Sequence, residues 1–336
     1  MLNIDTQVKV VNGCQPNDLP EAVLTSTQPL VLKGLVSKWP AVKATKPVDY
    51  VRQFCQPNPV NAMLGEPKIK GRFFYNDDMS GFNFERKRLV LDDVLDRLLV
   101  QIGLQQANTI PAAIYVGSTS VEQCLPGFKA HNDLDFGQIE PLTSAWIGNQ
   151  TCVAAHYDVP DNIACVVAGK RRFTLFPPHQ LVNLYAGPID FTPAGQSISL
   201  VDFAQPDFSR YPKFADALQH AQMAELEPGD ALFIPSMWWH HVEALDSFNL
   251  LINYWWRKTP PFMGAPMDAL RHGLLSIRGL PPEQRKAWAG IFNHYVFNPD
   301  DDALAHIPEQ KHGDLAPTDE LAARQLRAQL LNKLNR

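Results

Sequence analysis

The sequence predicts a mainly β protein whose core is an antiparallel sandwich or barrel, with helices flanking it at both ends. Three observations support this fold class. Residues 110–256 contain short strand-like runs separated by Pro and Gly turn signals. The 28 prolines are spread along the chain, which favours many short elements over long helices. Apolar residues at helical spacing occur on both sides of this region.

Residues 1–109 are predicted to form an α/β region that packs on the sheet core. The segment from Pro29 to Gly34 indicates a short buried strand that ends at the glycine. Residues 89–101 predict a helix, because acidic residues lie in its first turn and its apolar residues recur at helical spacing. These apolar residues are Leu91, Val94, Leu95, Leu98 and Leu99.

Residues 110–258 are predicted to form the sheet core itself. Its strands are bounded by turn signals such as Pro177-Pro178 and Pro228-Gly229-Asp230. Many short strands joined by such turns are typical of a sandwich or barrel. The predicted strands cover residues 112–116, 145–148, 151–155, 162–168, 172–176, 231–234 and 248–255.

Residues 259–336 return to a helical pattern, with amphipathic helices predicted at 267–277, 282–296 and 319–334. We expect Thr318 to cap the last helix. That helix carries an apolar stripe, which must cover either the chain's own core or the same helix of a second copy. Because two-fold pairing is the commonest way to bury a self-complementary patch, we predict a homodimer through these helices. The stripe consists of Leu326, Leu330 and Leu334, with Leu331 beside them.

Composition excludes several classes of protein. An apolar fraction of 45% and a charged fraction of 19% are typical of a globular chain of 336 residues. A net charge of −5 and the absence of a long basic run argue against nucleic acid or a membrane as the main partner. No segment approaches the roughly 18 apolar residues of a membrane span. The five dispersed cysteines and the lack of a visible export signal favour reduced thiols and a cytoplasmic protein.

The chemistry of the chain is indicated by two histidine motifs. His156 and Asp158 are two apart in a strand-like run, so both point to the same side of the sheet. Alone, such a pair also fits a buried His–Asp hydrogen bond. Far downstream, a turn, a buried strand and two tryptophans precede His240 and His241. One of these, which we predict to be His240, completes two His and one carboxylate, the set that non-haem Fe(II) oxygenases use.

Residues 155–256 resemble the Jumonji-C branch of the cupin-like 2-oxoglutarate oxygenases. The pattern is most similar to the subgroup of the asparaginyl hydroxylase that inhibits the hypoxia-inducible factor. Weaker similarity extends upstream, so the resemblance covers most of residues 29–257. The shared motifs are His156-Tyr157-Asp158, Asn162, Leu175-Phe176-Pro177-Pro178, Leu184-Tyr185, Val201-Asp202-Phe203, Pro228-Gly229-Asp230, Trp238-Trp239-His240-His241 and Asn253 with Trp255.

The resemblance implies a double-stranded β-helix, a jelly roll that holds iron at its mouth. It implies Fe(II), 2-oxoglutarate and dioxygen as cofactor and co-substrates, with no catalytic residue beyond the metal triad. Arg171 and Tyr115 would hold the distal carboxylate of 2-oxoglutarate, and Asn162 and Asn253 would lie beside its chelating end. A bulge would place Lys170 inward in place of Arg171. The cavity-wall candidates are Trp239 and Trp255, which also fit ordinary core aromatics.

Departures from the family pattern concern both the co-substrate pocket and the substrate. Arg171 stands where the subgroup has lysine, and Val153 where relatives have a hydroxyl. Ser197 and Ile198 replace the Arg-Gln pair that holds the target amide in the asparaginyl hydroxylase, so the same target is not expected. Residues 183–227 are expected to shape the entrance.

We therefore predict a hydroxylase of a protein side chain or a small molecule. The alternatives are a non-catalytic metal- and ligand-binding cupin-like protein and a Jumonji-C-type demethylase. The resemblance also implies a homodimer, because the resembling hydroxylase dimerises through its C-terminal helices.

Overall fold

A computed structural model describes residues 2–298 and 304–335, which fall into two compact units, Met1–Arg257 and Lys258–Arg336. The first unit carries the strands and the second carries helices. The strands are β1 (Lys9–Val11), β2 (Leu30–Leu32), β3 (Pro59–Gly65), β4 (Arg72–Phe73), β5 (Glu85–Val90), β6 (Ala113–Ser120), β7 (Leu142–Gly148), β8 (Cys152–Tyr157), β9 (Asp161–Ala168), β10 (Arg171–Phe176), β11 (Gln222–Leu226), β12 (Ala231–Ile234), β13 (Trp239–Ala244) and β14 (Asn249–Trp256).

The α-helices of the described residues are short, apart from four. They are α1 (Glu21–Leu24), α2 (Pro40–Lys43), α3 (Pro47–Arg52), α4 (Leu91–Gln106), α5 (Val121–Cys124), α6 (Phe214–Gln219), α7 (Pro266–Ser276), α8 (Pro282–Phe292) and α9 (Glu320–Leu334). A π-helical turn, Asn293–Phe297, follows α8 directly. No helix of the described part is long and apolar enough to cross a membrane.

Two sheets build the jelly roll and confirm the predicted fold class. The nine-stranded sheet has the order β1-β2-β12-β9-β14-β7-β6-β3-β5, and the five-stranded sheet has the order β11-β10-β13-β8-β4. The strand pairs are antiparallel except β1 with β2 and β4 with β8. From β7 to β14 successive strands alternate between the two sheets, except that β10 and β11 are neighbours in the five-stranded sheet, and this arrangement is that of a double-stranded β-helix.

The central strand β9 shows why its segment is apolar from Ile163 to Ala168, since all eight of its residues are buried. Ile163, Cys165 and Val167 belong to the large core on the outer side of the nine-stranded sheet. Ala164 and Val166 point the other way, into the smaller core inside the barrel. A strand covered on both faces reads as a continuous apolar run rather than an alternating one.

The N-terminal strands extend the nine-stranded sheet, because β3 pairs with both β6 and β5. The predicted helix at 89–101 is α4, but it starts at Leu91 and runs to Gln106, and Leu89 and Val90 belong to β5. At the C-terminus, the side chain of Asp319 caps α9 by accepting a hydrogen bond from the Ala322 amide at 2.8 Å. The expectation that Thr318 is the cap was therefore wrong by one residue.

The turn between β9 and β10 depends on a glycine and delivers Arg171 to the barrel. Gly169 has φ +71°, and a Cβ at this position would lie 2.3 Å from Asn249 Oδ1 and 2.5 Å from the Phe248 carbonyl oxygen. A side chain here would both strain the backbone and displace β14 at its start.

We predict that Gly169→Ala destabilises the protein by at least ~1–2 kcal/mol, the cost of a left-handed residue with a Cβ. Gly103→Ala is the matched control, because Gly103 lies within α4 and a Cβ there meets nothing within 4 Å. That control should stabilise by roughly 0.5–1 kcal/mol. Urea unfolding of both variants measures the two effects, and equal midpoints would contradict the prediction.

Candidate metal and co-substrate site

The two predicted metal-binding motifs meet across one strand pair. β8 and β13 are antiparallel neighbours, and His156 lies directly opposite His240. The two imidazole rings are 4.3 Å apart, centre to centre. Asp158 follows at the end of β8, and one ligand atom from each of the three side chains lies within 4.8 Å of the others.

A β-bulge in β8 aims His156 into the barrel. The register shifts between His240 and Val242, so that Ala154 and Ala155 of β8 together oppose a single residue of β13. Without this extra residue, alternation would put Val153 and His156 on opposite faces. With it, both side chains line the same cavity.

Both histidines have one ring nitrogen already engaged. His156 Nδ1 lies 2.9 Å from the Ala154 carbonyl oxygen, and His240 Nδ1 lies 3.0 Å from that of Trp238. A carbonyl only accepts, so each Nδ1 carries a proton, which leaves Nε2 as the nitrogen that can bind a metal. Burial, followed by the nearby His156, lowers the pKa of His240 to about 4. Neutral imidazoles with bound Nδ1–H groups are the form in which histidine binds metals.

The turn before β13 is fastened to the loop that carries Asp158. The Met237 amide donates to the Asp158 carbonyl oxygen at 2.8 Å, and the Ser236 amide donates to Asp161 Oδ1 at 2.9 Å. Ser236 Oγ also donates to the Val159 carbonyl oxygen at 2.5 Å. These bonds hold the loop after β8 and the start of β13 together, so the carboxylate and His240 keep a common position.

A cavity runs from the triad into the barrel, and eight of the predicted residues line it, besides Val153. They are Tyr115, His156, Asp158, Asn162, Arg171 and Asn253, together with His240 and Trp255. The rest of its wall is mostly apolar, with Phe173, Ile234, Val242 and Leu251 among its members. An enclosed apolar wall with a few polar groups is the usual form of a small-molecule site.

Arg171 is a buried cation that forms no ion pair with the described part of the chain. Its side chain is 3% exposed, and its NH2 group makes one long contact, 3.4 Å from the Trp146 carbonyl oxygen. Its Nε has no partner, and no carboxylate of residues 2–298 or 304–335 forms an ion pair with it. Burial lowers the pKa of Arg171 to about 10, so the guanidinium stays charged at neutral pH. An unpaired buried charge of this kind is costly, which points to an anionic ligand.

Tyr115 lies on the same wall, and burial raises the pKa of its phenol well above the ordinary value. It therefore remains a neutral hydroxyl that can donate a hydrogen bond. Near the triad, Asn253 Nδ2 donates to Asn162 Oδ1 at 3.3 Å, so the two predicted amides contact each other. Trp146 Nε1 donates to Asn253 Oδ1 at 2.6 Å and fixes the orientation of that amide.

Trp146 is a cavity residue that the sequence analysis did not single out. Its ring centre lies 6.1 Å from that of Tyr115 and 5.6 Å from that of Trp255. It occupies an inward position on β7, and by spacing alone an inward tryptophan cannot be distinguished from a core aromatic. The signal that identifies it is its hydrogen bond to Asn253, which only the folded structure shows.

Other candidate residues lie away from the cavity. Trp239 is 1% exposed and packs in an outer cluster with Phe176 and Leu184, so it forms no part of the cavity wall. Lys170 points to the surface, where its Nζ lies 2.8 Å from Glu227 Oε1. His241 stacks on Phe203 and places Nε2 3.1 Å from Cys152 Sγ. Adjacent residues of a strand point to opposite faces, so the neighbours of Arg171 and His240 turn outward.

Ser197 and Ile198, which stand where the asparaginyl hydroxylase has its amide-binding pair, are also buried away from the cavity. Ser197 Oγ donates to the Pro188 carbonyl oxygen at 2.9 Å, and Ile198 packs with Tyr75 and Ala154. Neither residue lines the cavity.

Comparison with known proteins agrees with this geometry. Residues 16–262 match the family described as a cupin-like domain. The chain is 38% identical to tRNA wybutosine-synthesizing protein 5 of Danio rerio over 149 residues, which are 40% of this chain and 43% of that protein. It is 36% identical to Lysine-specific demethylase JMJ31 of Arabidopsis thaliana over 104 residues, 31% of this chain and 18% of that protein. It is 24% identical to Lysine-specific demethylase 8 of Xenopus tropicalis over 236 residues, 69% of this chain and 49% of that protein.

The chain thus spans less than half the length of each of these three relatives. The resemblance to the Jumonji-C branch of the cupin-like proteins is confirmed by the family match and by the relatives named as demethylases.

We predict that Asp158→Ala removes stoichiometric Fe(II) binding, because two imidazoles alone hold the metal weakly. His240→Ala should have the same effect. His241→Ala should keep the metal, since His241 faces Cys152 and Phe203 rather than the cavity. Anaerobic Fe(II) titration followed by metal analysis measures all three. Retention by His240→Ala with loss by His241→Ala would show that the assignment is wrong.

Proposed function

Because the chain belongs to the cupin-like domain family, we propose that it is an Fe(II)- and 2-oxoglutarate-dependent oxygenase that hydroxylates its substrate. The donor set fits the metal, since two imidazoles and a carboxylate converge within the barrel. When bound, the iron supplies the oxidising chemistry, which couples decarboxylation of 2-oxoglutarate to succinate with insertion of oxygen into a C–H bond.

The observation that carries the proposal is the unpaired cation inside the same cavity as the triad. Arg171 is buried and charged, and a carboxylate is the ligand that its two-pronged guanidinium fits. Tyr115 adds a neutral hydroxyl beside it. A dicarboxylate would place one carboxylate on Arg171 and leave its other end at the metal, which is the way 2-oxoglutarate is expected to lie.

The side chains around the cavity have distinct roles in binding and orienting the metal and the co-substrate. His156, Asp158 and His240 bind and orient the metal. Asn253, held by Trp146, contributes an amide beside the metal end of the cavity. The apolar wall formed by Phe173, Ile234, Val242 and Leu251 excludes water from the charged groups.

The relatives named as lysine-specific demethylases favour a second candidate reaction, oxidation of an N-methyl group. This reaction uses the same metal and co-substrate and releases formaldehyde in place of a stable alcohol. A non-catalytic metal- and ligand-binding protein is the third alternative. Anaerobic binding followed by admission of air separates the two enzymatic alternatives from the non-catalytic one without a known substrate.

With Fe(II), 2-oxoglutarate and air, we expect slow formation of succinate by the wild-type chain and none by Asp158→Ala. Binding of 2-oxoglutarate without succinate would overturn the enzymatic proposal. With a methylated peptide pool, release of formaldehyde would identify the demethylase alternative.

We predict that Arg171→Ala weakens binding of 2-oxoglutarate roughly ten- to over hundredfold, because a hydrogen bond to a charged group is worth ~1.5–3 kcal/mol. Lys170→Ala is the matched control, since it removes a neighbouring charge that faces solvent and pairs with Glu227. Calorimetric titration of the metal-loaded protein gives both constants. An effect of Lys170→Ala with none of Arg171→Ala would contradict the assignment.

We also propose that the chain forms a homodimer through α9. The apolar stripe predicted on this helix is exposed, with Leu326 at 36%, Leu330 at 41% and Leu334 at 52%. Leu331 beside it is 61% exposed. A contiguous apolar stripe at the surface calls for a covering partner. The same helix of a second copy offers a matching stripe about a two-fold axis.

We predict that Leu326→Glu/Leu330→Glu converts a dimer to a monomer in light scattering. Gln325→Glu is the control, because it adds a negative charge to the same helix at an exposed polar position. A chain that ends at Asp314 should also be monomeric. If all these proteins have the same number of subunits as the wild type, α9 is not the interface.

A further inference from the structure

We propose that Trp255 is a positioning residue of the metal site, which holds the Asp158 carboxylate in its ligand orientation through the indole N–H. Trp255 Nε1 donates to Asp158 Oδ2 at 3.2 Å. The same oxygen lies 3.6 Å from His240 Nε2. The inference rests on the proposed function only in that the triad binds a metal.

The Asp158 side chain has little else to orient it. Asp158 follows the last residue of β8, so the strand ladder holds its neighbours and not its carboxylate. Its backbone is fixed, because its carbonyl oxygen accepts from the Met237 amide. Within residues 2–298 and 304–335, however, no other side chain donates a hydrogen bond to the carboxylate. The indole N–H is therefore the group that restrains rotation of the side chain.

Trp255 is itself held firmly enough to act as a fixed donor. It lies on β14, between β7 and β9, where its backbone pairs with Leu142 on one side and Asn162 on the other. The Trp146 ring packs against it at 5.6 Å in an edge-to-face arrangement with an interplanar angle of 87°. Such an aromatic pair fixes the plane of the indole and with it the direction of the N–H.

The physical effect is preorganisation of a charged ligand. A hydrogen bond between an N–H group and a carboxylate is charge-assisted, and it persists when no metal is bound. Partners that orient the ligands of a metal typically account for 10–100-fold in affinity. If Trp255 acts through its hydrogen bond to Asp158, this position requires an N–H group at the right distance. If Trp255 acts only by packing, the position requires only an aromatic ring.

Trp255→Phe keeps a ring and deletes the N–H. We expect it to weaken Co(II) binding, used as a stable probe for Fe(II), by roughly 10–100-fold. Trp256→Phe is the matched control, because it makes the same chemical change at the next residue of β14. Trp256 points to the opposite face and is 4% exposed, and its Nε1 has no hydrogen-bond partner among the described residues. Its substitution should leave Co(II) affinity within about twofold while testing the effect of a lost indole in the core.

A second pair of variants reverses the ranking that packing would give. Trp255→Gln keeps an N–H donor at a similar distance from the backbone, whereas Trp255→Met has a similar length and no donor. If Trp255 acts as a donor, the Gln variant binds Co(II) more tightly than the Met variant. If Trp255 only packs, the apolar Met variant binds at least as tightly as the Gln variant, which overturns the proposal. This pair decides the matter even where Trp255→Phe does not fold.

The experiment also separates this proposal from the proposed function. If the wild type fails to bind Co(II) at one site that depends on Asp158, the metal centre itself is wrong. If the wild type binds and Trp255→Phe binds equally well, the centre stands and the role of Trp255 is wrong. Because Asp158→Ala is expected to lose the metal, the double-mutant cycle is measured as the unfolding free energy of the metal-free proteins, a readout besides metal affinity. Trp255→Phe should destabilise the wild type more than it destabilises Asp158→Ala, because only the wild type loses the hydrogen bond.

Discussion

The site depends on one constraint, which is that two histidines on antiparallel neighbours must point into the barrel at the same level. The pairing of His156 with His240 meets it, and the bulge at Ala154 and Ala155 makes it possible. Moving this register by one residue would turn one imidazole into the outer cluster, as has happened to His241. The bonds from Ser236 and Met237 to the loop at 158–161 hold the register at the open end of the strand pair. The jelly roll therefore acts as a frame whose hydrogen-bond register decides where the ligands meet.

A second constraint is electrostatic. The cavity is lined by the charged guanidinium of Arg171 and by the carboxylate and two imidazoles of the triad, and the rest of its wall is largely apolar. Neither Arg171 nor the triad is fully satisfied by the protein itself. A dicarboxylate and a divalent cation would satisfy both, and each would stabilise the fold by binding the native state alone. The fold thus carries a local instability at the place where ligands are expected to bind, which is typical of functional sites.

Much of the core was predictable because its strands are apolar runs bounded by Pro and Gly. β12 matches its prediction at both ends, and β9 is recognisable because it is buried on both faces. β5 was missed because Glu85, Arg86, Lys87 and Arg88 are exposed at the edge of the sheet and show no alternation. β4 is only two residues long, too short for any pattern. Alternation also explains the outward position of Trp239, since a residue next to His240 on a strand must face the other way.

The polar part of the site could be predicted only in part, because its partners come from distant segments. The motif residues identify which side chains are chemically suited to a metal and a carboxylate. They do not show that Trp146 reaches Asn253, or that Trp255 reaches Asp158, since 107 and 97 residues separate these pairs in the chain. Both contacts belong to a wall formed by Trp146, Asn253 and Trp255, in which each indole N–H orients one polar group of the cavity. Because the two rings also pack on each other, the same rigid surface positions the Asn253 amide and the Asp158 carboxylate.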